Sequence, residues 1–346
     1  MKVILFCQNA YAFEIMNPIK KVLQEQNHEY IWFITPKLSS LFPFANEPVT
    51  QSIAELEAYK SDAIIAPGNE VPHYLRGLKV QIFHGLAGEK KGHFHIRHYF
   101  DLYLTQGPYF TRGFNKLKSR FKNFDVVETG WSKLDAYTQH NQEILLEKES
   151  LLKKQNATHI LLYAPTFSPS LTSAGVLEPE IEQLAQQGDY IINIKFHDLM
   201  DQKYIEAYKN LAAKYDTVYF KEGRDIIKQF ILADLLISDT SSVIYEFLLL
   251  DKPVITFGNI NENIQWDNRT EKEELQKAVS ENLTTDPFSE KRAKVIAEYH
   301  PYNDRKSSER MIQEIEKYIE KHGVPEKRNL SLFRKYKINK TFNRKS

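Results

Sequence analysis

Four polar stretches in this sequence each follow a short apolar run, and their residue types suit phosphate and hydroxyl chemistry. The richest runs Asp234-Leu235-Leu236-Ile237-Ser238-Asp239-Thr240-Ser241-Ser242-Val243-Ile244-Tyr245-Glu246-Phe247. Leu235 to Ile237 is short enough for a buried strand. Ser238, Asp239 and Thr240 then supply turn and cap chemistry, and from Ser242 the spacing of Val243, Phe247 and Leu250 is helical. Amides and hydroxyls from Asp239 to Ser242 at a helix start would bind phosphate. The plain alternative is that the serines only cap the helix. Glu246 lies one turn beyond Ser242, where a carboxylate can accept hydrogen bonds from a ribose diol. Otherwise it is an ordinary exposed helix glutamate.

The second stretch is Asn193-Ile194-Lys195-Phe196-His197. Lys195 and His197 share one side of a continuing strand, and both can donate to a diphosphate. The third is Tyr163-Ala164-Pro165-Thr166-Phe167-Ser168, where Thr166 and Ser168 could bond a phosphate ahead of a Ser/Thr/Gly/Pro loop that reads as mobile. The fourth is Phe83-His84-Gly85-Leu86. A histidine there can act as a general base near neutral pH, and Gly85 allows close backbone approach or a positive φ. His93, His95 and His98 match no zinc spacing. With Lys90, Lys91 and Arg97 they read instead as a positive rim for an anionic acceptor. No Walker A loop, G-x-G-x-x-G, G-x-S-x-G or Asp-x-Asp occurs.

Such stretches work only if strands and helices bring them to one edge. Strands are expected at Val3 to Phe6, Tyr30 to Ile34, Ala63 to Ala66, Val80 to Phe83, Leu102 to Leu104 and Val126 to Val127. Helices fit Glu14 to Gln26 and Ile53 to Tyr59. A polar helix, Gln139 to Gln155, bridges to a second array. Its strands are Ile160 to Tyr163, Tyr190 to Ile194, Thr217 to Phe220, Leu235 to Ile237 and Lys252 to Phe257. Its helices are Pro179 to Gln187, Tyr204 to Tyr215 and Ile226 to Leu232. Strand–helix alternation argues for parallel sheets. The expected architecture is α/β, two Rossmann-like doubly wound domains facing across a cleft. They would span 1–150 (acceptor) and 151–300 (nucleotide donor), followed by a helical segment 301–322 packing back between them and a basic tail 323–346.

Composition sets further limits. The chain has 346 residues, a formal net charge of +1 and one cysteine. A near-neutral balance gives no case for nucleic acid. One cysteine allows no disulfide framework, and Cys7 reads as a buried strand residue. No uninterrupted apolar segment is long enough to span a bilayer. The tail carries Lys327, Arg328, Arg334, Lys335, Lys337, Lys340, Arg344 and Lys345 against Glu326, with Leu330, Leu332, Phe333, Tyr336, Ile338 and Phe342 interleaved. That pattern over 324–346 suits an amphipathic segment on an anionic membrane surface, or else a solvated basic terminus.

Taken in chain order, from Phe83-His84-Gly85 through Tyr163–Phe167 and Ile194–His197 to Asp234–Phe247 with Lys252-Pro253 beyond, the four stretches resemble the CDP-glycerol glycerophosphotransferase family of teichoic-acid and capsule polymer enzymes. Tyr302-Asn303-Asp304-Arg305-Lys306-Ser307-Ser308-Glu309-Arg310 resembles a late stretch of the same family. Where members carry Thr-Pro after the His-Gly, this chain has Leu86-Ala87. The resemblance implies a GT-B-like fold and a transferase moving glycerol phosphate, or a related alditol phosphate, from a CDP-activated donor to a glycan or polymer hydroxyl. It implies His84 as catalytic base, with Lys195 and His197 neutralising the diphosphate and His197 counted with His84 as catalytic. Thr166, Asp239, Thr240, Ser241 and Ser242 would sit at the donor, Glu246 at its ribose, and Ser307, Ser308 and Arg310 at its phosphates. No cofactor or metal beyond the CDP-linked donor (CDP-glycerol or a CDP-ribitol-like compound) is expected. The acceptor could be lipid-linked, and the expected location is cytoplasmic, peripheral on the membrane's inner face. A GT-B glycosyltransferase or epimerase using a nucleotide sugar, and a non-catalytic assembly protein, are the rival readings.

Overall fold

The computed structural model describes residues 1–86, 94–138, 141–223 and 226–342. It divides into two compact units: Met1–Ala136 with Glu298–Ser346, and Tyr137–Ala297. In the first unit the strands are β1 (Lys2–Cys7), β2 (Glu29–Ile34), β3 (Val49–Thr50), β4 (Ala63–Ala66), β5 (Leu78–Gln81), β6 (Leu102–Thr105) and β7 (Asp125–Glu128). They pair in parallel in the order β3-β2-β1-β4-β5-β6-β7. Helices α1 (Ala12–Glu25), α2 (Ile53–Tyr59) and α3 (Pro108–Lys118) belong to its crossovers. The chain winds outward from β1 to β3 and then restarts at β4 on the other side. A crevice outside the strands' carboxyl ends is therefore expected between β1 and β4.

The second unit opens on α4 (Asn141–Gln155). This is the expected bridging helix, and it packs on α7 of the same unit (Ile226–Leu232), tied by the ion pairs Lys148–Asp234 and Lys228–Glu147. The second unit begins at Tyr137. Strands β8 (His159–Tyr163), β9 (Tyr190–Ile194), β10 (Val218–Phe220), β11 (Leu235–Ser238), β12 (Val254–Phe257) and β13 (Asp267–Arg269) form a parallel sheet ordered β10-β9-β8-β11-β12-β13. Its direction reverses between β8 and β11. Along β8, Leu161 and Tyr163 enter one core cluster while Ile160 and Leu162 are buried on the opposite face. A sheet covered on both faces reads as a continuous apolar run rather than an alternation. Helices α5 (Glu178–Gln187), α6 (Gln202–Lys214), α8 (Val243–Leu248), α9 (Leu275–Thr284) and α10 (Ser289–Tyr299) complete the unit, α10 ending where the chain re-enters the first.

Lys252 of the Lys-Pro pair holds α7 in place. Its ammonium donates to the carbonyls of Phe230, Ile231 and Ala233 at 2.8, 2.8 and 2.6 Å. These are the acceptors a helix leaves unpaired at its end, where its dipole favours a cation. Burial, with Lys148 nearby, lowers the Lys252 pKa to about 8.

The return segment belongs to the first unit. Helix α11 (Ser307–His322) packs on α1 and buries Met311, Ile312 and Ile315. The tail then folds onto the same unit. Arg328 is 7% exposed, pairs with Asp101, and donates to the carbonyls of His98 (2.5 Å) and Asn123 (2.7 Å). In α12 (Leu332–Thr341) Ile338 is fully buried among Ile4, Phe6, Tyr99 and Phe124. The basic stretch is thus no frayed terminus as far as Phe342; Arg344 and Lys345 lie outside the described residues.

Candidate functional site

In the first unit the site grows from the end of β5. The expected strand 80–83 stops at Gln81, whose side chain donates to the Gly68 carbonyl at 2.7 Å and to that of Ile82 at 3.0 Å. The next residues are held by their carbonyls. The buried Trp131 indole donates to Phe83 O at 2.7 Å, and Gln106 donates to Gly85 O at 2.9 Å. His84 is thereby fixed between two anchored peptides while its side chain stays exposed.

Its imidazole has a defined tautomer. Nδ1 lies 2.8 Å from the carbonyl oxygen of Pro67, at the end of β4. A carbonyl can only accept, so Nδ1 carries the proton and the neutral ring presents an unprotonated Nε2. No described residue donates to that nitrogen. A base needs such a lone pair. The Tyr11 ring stacks on the imidazole with centroids 4.8 Å apart and planes 27° apart. Gly85 has neither a positive φ nor a heavy atom within 4 Å of a built Cβ. Its small size is not required by the protein's own packing. Arg97 of the expected rim is bonded to Asn69 Oδ1 at 3.1 Å. Lys90, Lys91 and His93 lie outside the described residues.

In the second unit the expected residues follow β8, β9 and β11, and the ends of β8 and β11 flank the reversal of strand order. His197 is exposed, and its ring sits 4.5 Å from that of Phe167. Leu199 N–H donates to its Nδ1 at 3.1 Å, so the neutral ring carries its proton on Nε2. The two histidines thus have opposite tautomers: His84 suits proton acceptance, His197 donation to an anion. Lys195 does not stand beside His197 in solvent. It is 8% exposed, and its ammonium donates to Phe196 O at 2.9 Å. Glu246 is also buried, at 8% exposed, which removes the plain surface-glutamate reading. Helix α8 is six residues long, Ser241 is half-buried and Ser242 is exposed. So short a helix has little dipole to offer a phosphate. The Thr240 hydroxyl is buried without a partner among the described residues.

Asp239, expected at the donor, is tied into the chain. It is fully buried, and its carboxylate accepts from Thr166 N (2.8 Å), Ser173 N (2.8 Å) and Ser173 Oγ (3.0 Å). Burial pushes its carboxyl up from the usual range while these donors pull it back. With these bonds to the chain, the Asp239 carboxylate shapes the site from inside. It also fixes the loop that reads as mobile: Ser173 and Ala174 are buried, and Tyr208 donates to Ala174 O at 2.9 Å. Ser173 is a residue that sequence reasoning missed, because nothing local marks it as the partner of a carboxylate 66 positions away.

Ser307, Ser308 and Arg310, expected at the donor phosphates, belong to the first unit. The amides of Ser307 and Ser308 donate to Asp135 at 3.1 and 2.7 Å, and Ser308 Oγ donates to it at 2.7 Å. Arg310 pairs with Asp304 at 2.6 Å and donates to Thr129 O at 2.8 Å. Both serines are buried, so these groups clasp the return segment to the loop after β7. His300 packs beside them, 3.5 Å from Ser307 Oγ, and burial holds its pKa down at about 4. Among the described residues no group of three or more His, Cys, Asp or Glu is arranged to hold a metal ion.

Comparison with known proteins bears on this arrangement. Residues 87–265, just over half of the chain, match the family described as CDP-glycerol:poly(glycerophosphate) glycerophosphotransferase. The match contains Thr166, Lys195, His197 and Asp239 to Glu246; His84 and Ser307 fall outside it. The teichoic acid glycerol-phosphate primase of Bacillus subtilis (strain 168) is 26% identical over 232 residues, covering 63% of this chain and 58% of the relative. The teichoic acid poly(glycerol phosphate) polymerase of Staphylococcus epidermidis is 24% identical over 272 residues, 67% of this chain and 36% of the relative. The chain thus spans less than two thirds of either. Among solved structures, the wall teichoic acid polymerase TagF superposes with a TM-score of 0.64 at 18% identity, over 92% of this chain and 89% of that one. A UDP complex of S. aureus MnaA gives 0.66 at 16%, over 92% and 97%. At such identities these likenesses establish the fold, GT-B-like with two parallel-sheet α/β units.

Proposed function

This chain belongs to the CDP-glycerol:poly(glycerophosphate) glycerophosphotransferase family, and from that premise we propose that it transfers glycerol phosphate, or a related alditol phosphate, from a CDP-linked donor to a glycan or polymer hydroxyl. The reaction belongs to teichoic-acid-type polymer synthesis. The observation that carries the reading is the His84 tautomer, Nδ1–H held by Pro67 O and Nε2 unprotonated. The acceptor oxygen attacks the phosphorus that bears the alditol. Its bond to the bridging oxygen breaks, and CMP leaves with that oxygen. The acceptor's proton passes to His84 Nε2. His197, through its protonated Nε2, and Lys195 offset charge on the transferred phosphoryl group and on the phosphate of the departing CMP. Thr166 and the hydroxyls of Thr240, Ser241 and Ser242 orient the diphosphate, and Glu246 takes the ribose. No metal or further cofactor enters this scheme. A transition state stabilised by protein donors should proceed at full rate in EDTA.

The test is CMP release from CDP-glycerol, followed by chromatography with a hydroxyl acceptor. His84→Asn should lose about 10²–10⁴-fold in kcat, the scale of a positioned base, with donor KM unchanged. A folded His84→Asn enzyme at full rate would overturn the mechanism. Turnover of a UDP-sugar in place of CDP-glycerol and CDP-ribitol would overturn the donor assignment.

We also propose that the acceptor is lipid-linked and that the enzyme works at the cytoplasmic membrane surface. No helix among the described residues is long and apolar enough to cross a membrane. What supports peripheral docking is the outer face of α12. Leu332, Phe333 and Tyr336 are 84, 76 and 68% exposed, with Lys337 and Lys340 exposed and Lys335 half-buried beside them. Apolar residues ringed by lysines fit an anionic interface.

A further inference from the structure

The ends of four neighbouring strands in the first unit carry a connected polar strip. Lys37 follows β2, Asn9 and Tyr11 follow β1, Pro67 and Asn69 follow β4, and His84 follows β5. The sequence singles out only His84 among them. The links are specific. Lys37 Nζ donates to Asn9 Oδ1 at 3.1 Å, and Asn9 Nδ2 donates to Tyr11 Oη at 3.2 Å. The Tyr11 ring lies against the His84 imidazole at 4.8 Å. Tyr11 is 40% exposed and packs as a plate on the histidine rather than as a core residue. Lys37 is exposed and spends one of its three ammonium donors on Asn9.

A carbonyl bonded to Nδ1 fixes where one edge of an imidazole points, yet the ring can still swing about that bond. A second contact on its face removes this freedom. The Pro67 carbonyl and the Tyr11 ring together set both the direction and the plane of Nε2. Lys37, held by the other amide atom of Asn9, presents a cation on the same strip. In an open parallel sheet this edge is where ligands sit.

We propose that Tyr11 is a positioning residue that fixes the plane of His84, and that Lys37, steered through Asn9, is a specificity residue that takes an anionic group of the acceptor next to the attacked hydroxyl. This rests on His84 being the base. The strip therefore selects phosphate-bearing acceptors over neutral polyols, and does so on the acceptor side without touching the donor.

The test is steady-state kinetics of CMP release with two acceptors, one phosphorylated polyol and one neutral polyol of the same length. Tyr11→Ala should lower kcat about 10–100-fold, the scale of a misaligned reacting group, with donor KM unchanged. Tyr11→Phe keeps the plate, and should restore most of the rate with an unaltered pH profile. Lys37→Gln should raise KM about fivefold for the phosphorylated acceptor, the scale of one exposed charge contact, and leave the neutral acceptor and kcat unchanged. The failures separate. If His84→Asn keeps full rate, the base assignment falls. If His84→Asn is inactive while folded Tyr11→Ala matches the parent, or Lys37→Gln affects both acceptors equally, the present inference falls alone.

Discussion

Replacing Asp239 with asparagine tests the claim that this residue builds the site from inside. The substitution keeps the shape and removes the charge. The carboxylate's two oxygens have separate work: Oδ1 accepts from Thr166 N at 2.8 Å, and Oδ2 accepts from Ser173 N and Ser173 Oγ at 2.8 and 3.0 Å. Asparagine supplies one acceptor and one donor. The cheaper orientation puts its oxygen where Oδ2 stands and keeps both Ser173 bonds. Its amide nitrogen then faces the Thr166 N–H, donor against donor. The variant loses one charge-assisted hydrogen bond and strands a backbone amide, each in the range of about 1–3 kcal/mol. Relief from burying a charge offsets part, leaving a net loss of about 3 kcal/mol. At about 3 °C per kcal/mol for a unit of this size, Tm should fall by roughly 10 °C. Scanning calorimetry of the full chain measures it. Donor KM from CMP release should rise, because Thr166 is freed, while Ser173→Ala, which loses only hydroxyl bonds, should cost about 1 kcal/mol. An Asn variant within about 0.5 kcal/mol of the parent, the ordinary surface range, would refute the clamp.

Arg328→Met should destabilise the first unit by about 3–5 kcal/mol in urea unfolding, since it leaves Asp101 buried without its partner; adding Asp101→Asn should recover part of the loss. His300 gives a pH signature. Its folded pKa of about 4 lies below the ordinary histidine value, so the unfolded chain binds the proton first. The stabilisation is complete above about pH 6.5 and is lost as pH falls toward 4, up to about 3 kcal/mol in all. His300→Gln should flatten stability against pH across that window, and an unchanged acid slope would count against a buried neutral imidazole. For α12, Phe333→Ser with Tyr336→Ser should reduce co-sedimentation with phosphatidylglycerol vesicles while leaving the unfolding curve intact. Equal binding by parent and variant would remove this face from membrane docking.

The strands and the polar turns after them were legible because their signals are local. Tyr190–Ile194, closed by Lys195, and Ala63–Ala66, closed by Pro67-Gly68, are mainly apolar runs, and the structure forms them with those bounds. The edge strands Val49–Thr50 and Asp267–Arg269 carry no apolar pattern and exist only through pairing with a neighbour. Helices α3 and α9 were also missed. The tail reads as amphipathic from its composition, yet its inner face is claimed by the aromatic cluster around Phe6 and Tyr99, a partner more than 200 positions away.

The chain alone determined which chemistry is present: a base candidate in His84, donors in Lys195 and His197, hydroxyls from Thr240 to Ser242. Residue type decides what a group can do, and strand alternation decides which edge it reaches. Only the tertiary structure decided which groups remain available. Asp239, Ser307 and Ser308 are polar residues of the kinds that suit a phosphate site, but their hydrogen bonds close on Ser173 and Asp135. Tyr11 became part of the site because β1 and β5 lie on either side of β4. A hydrogen bond depends on angstrom distances between residues far apart in sequence, and no local pattern encodes them.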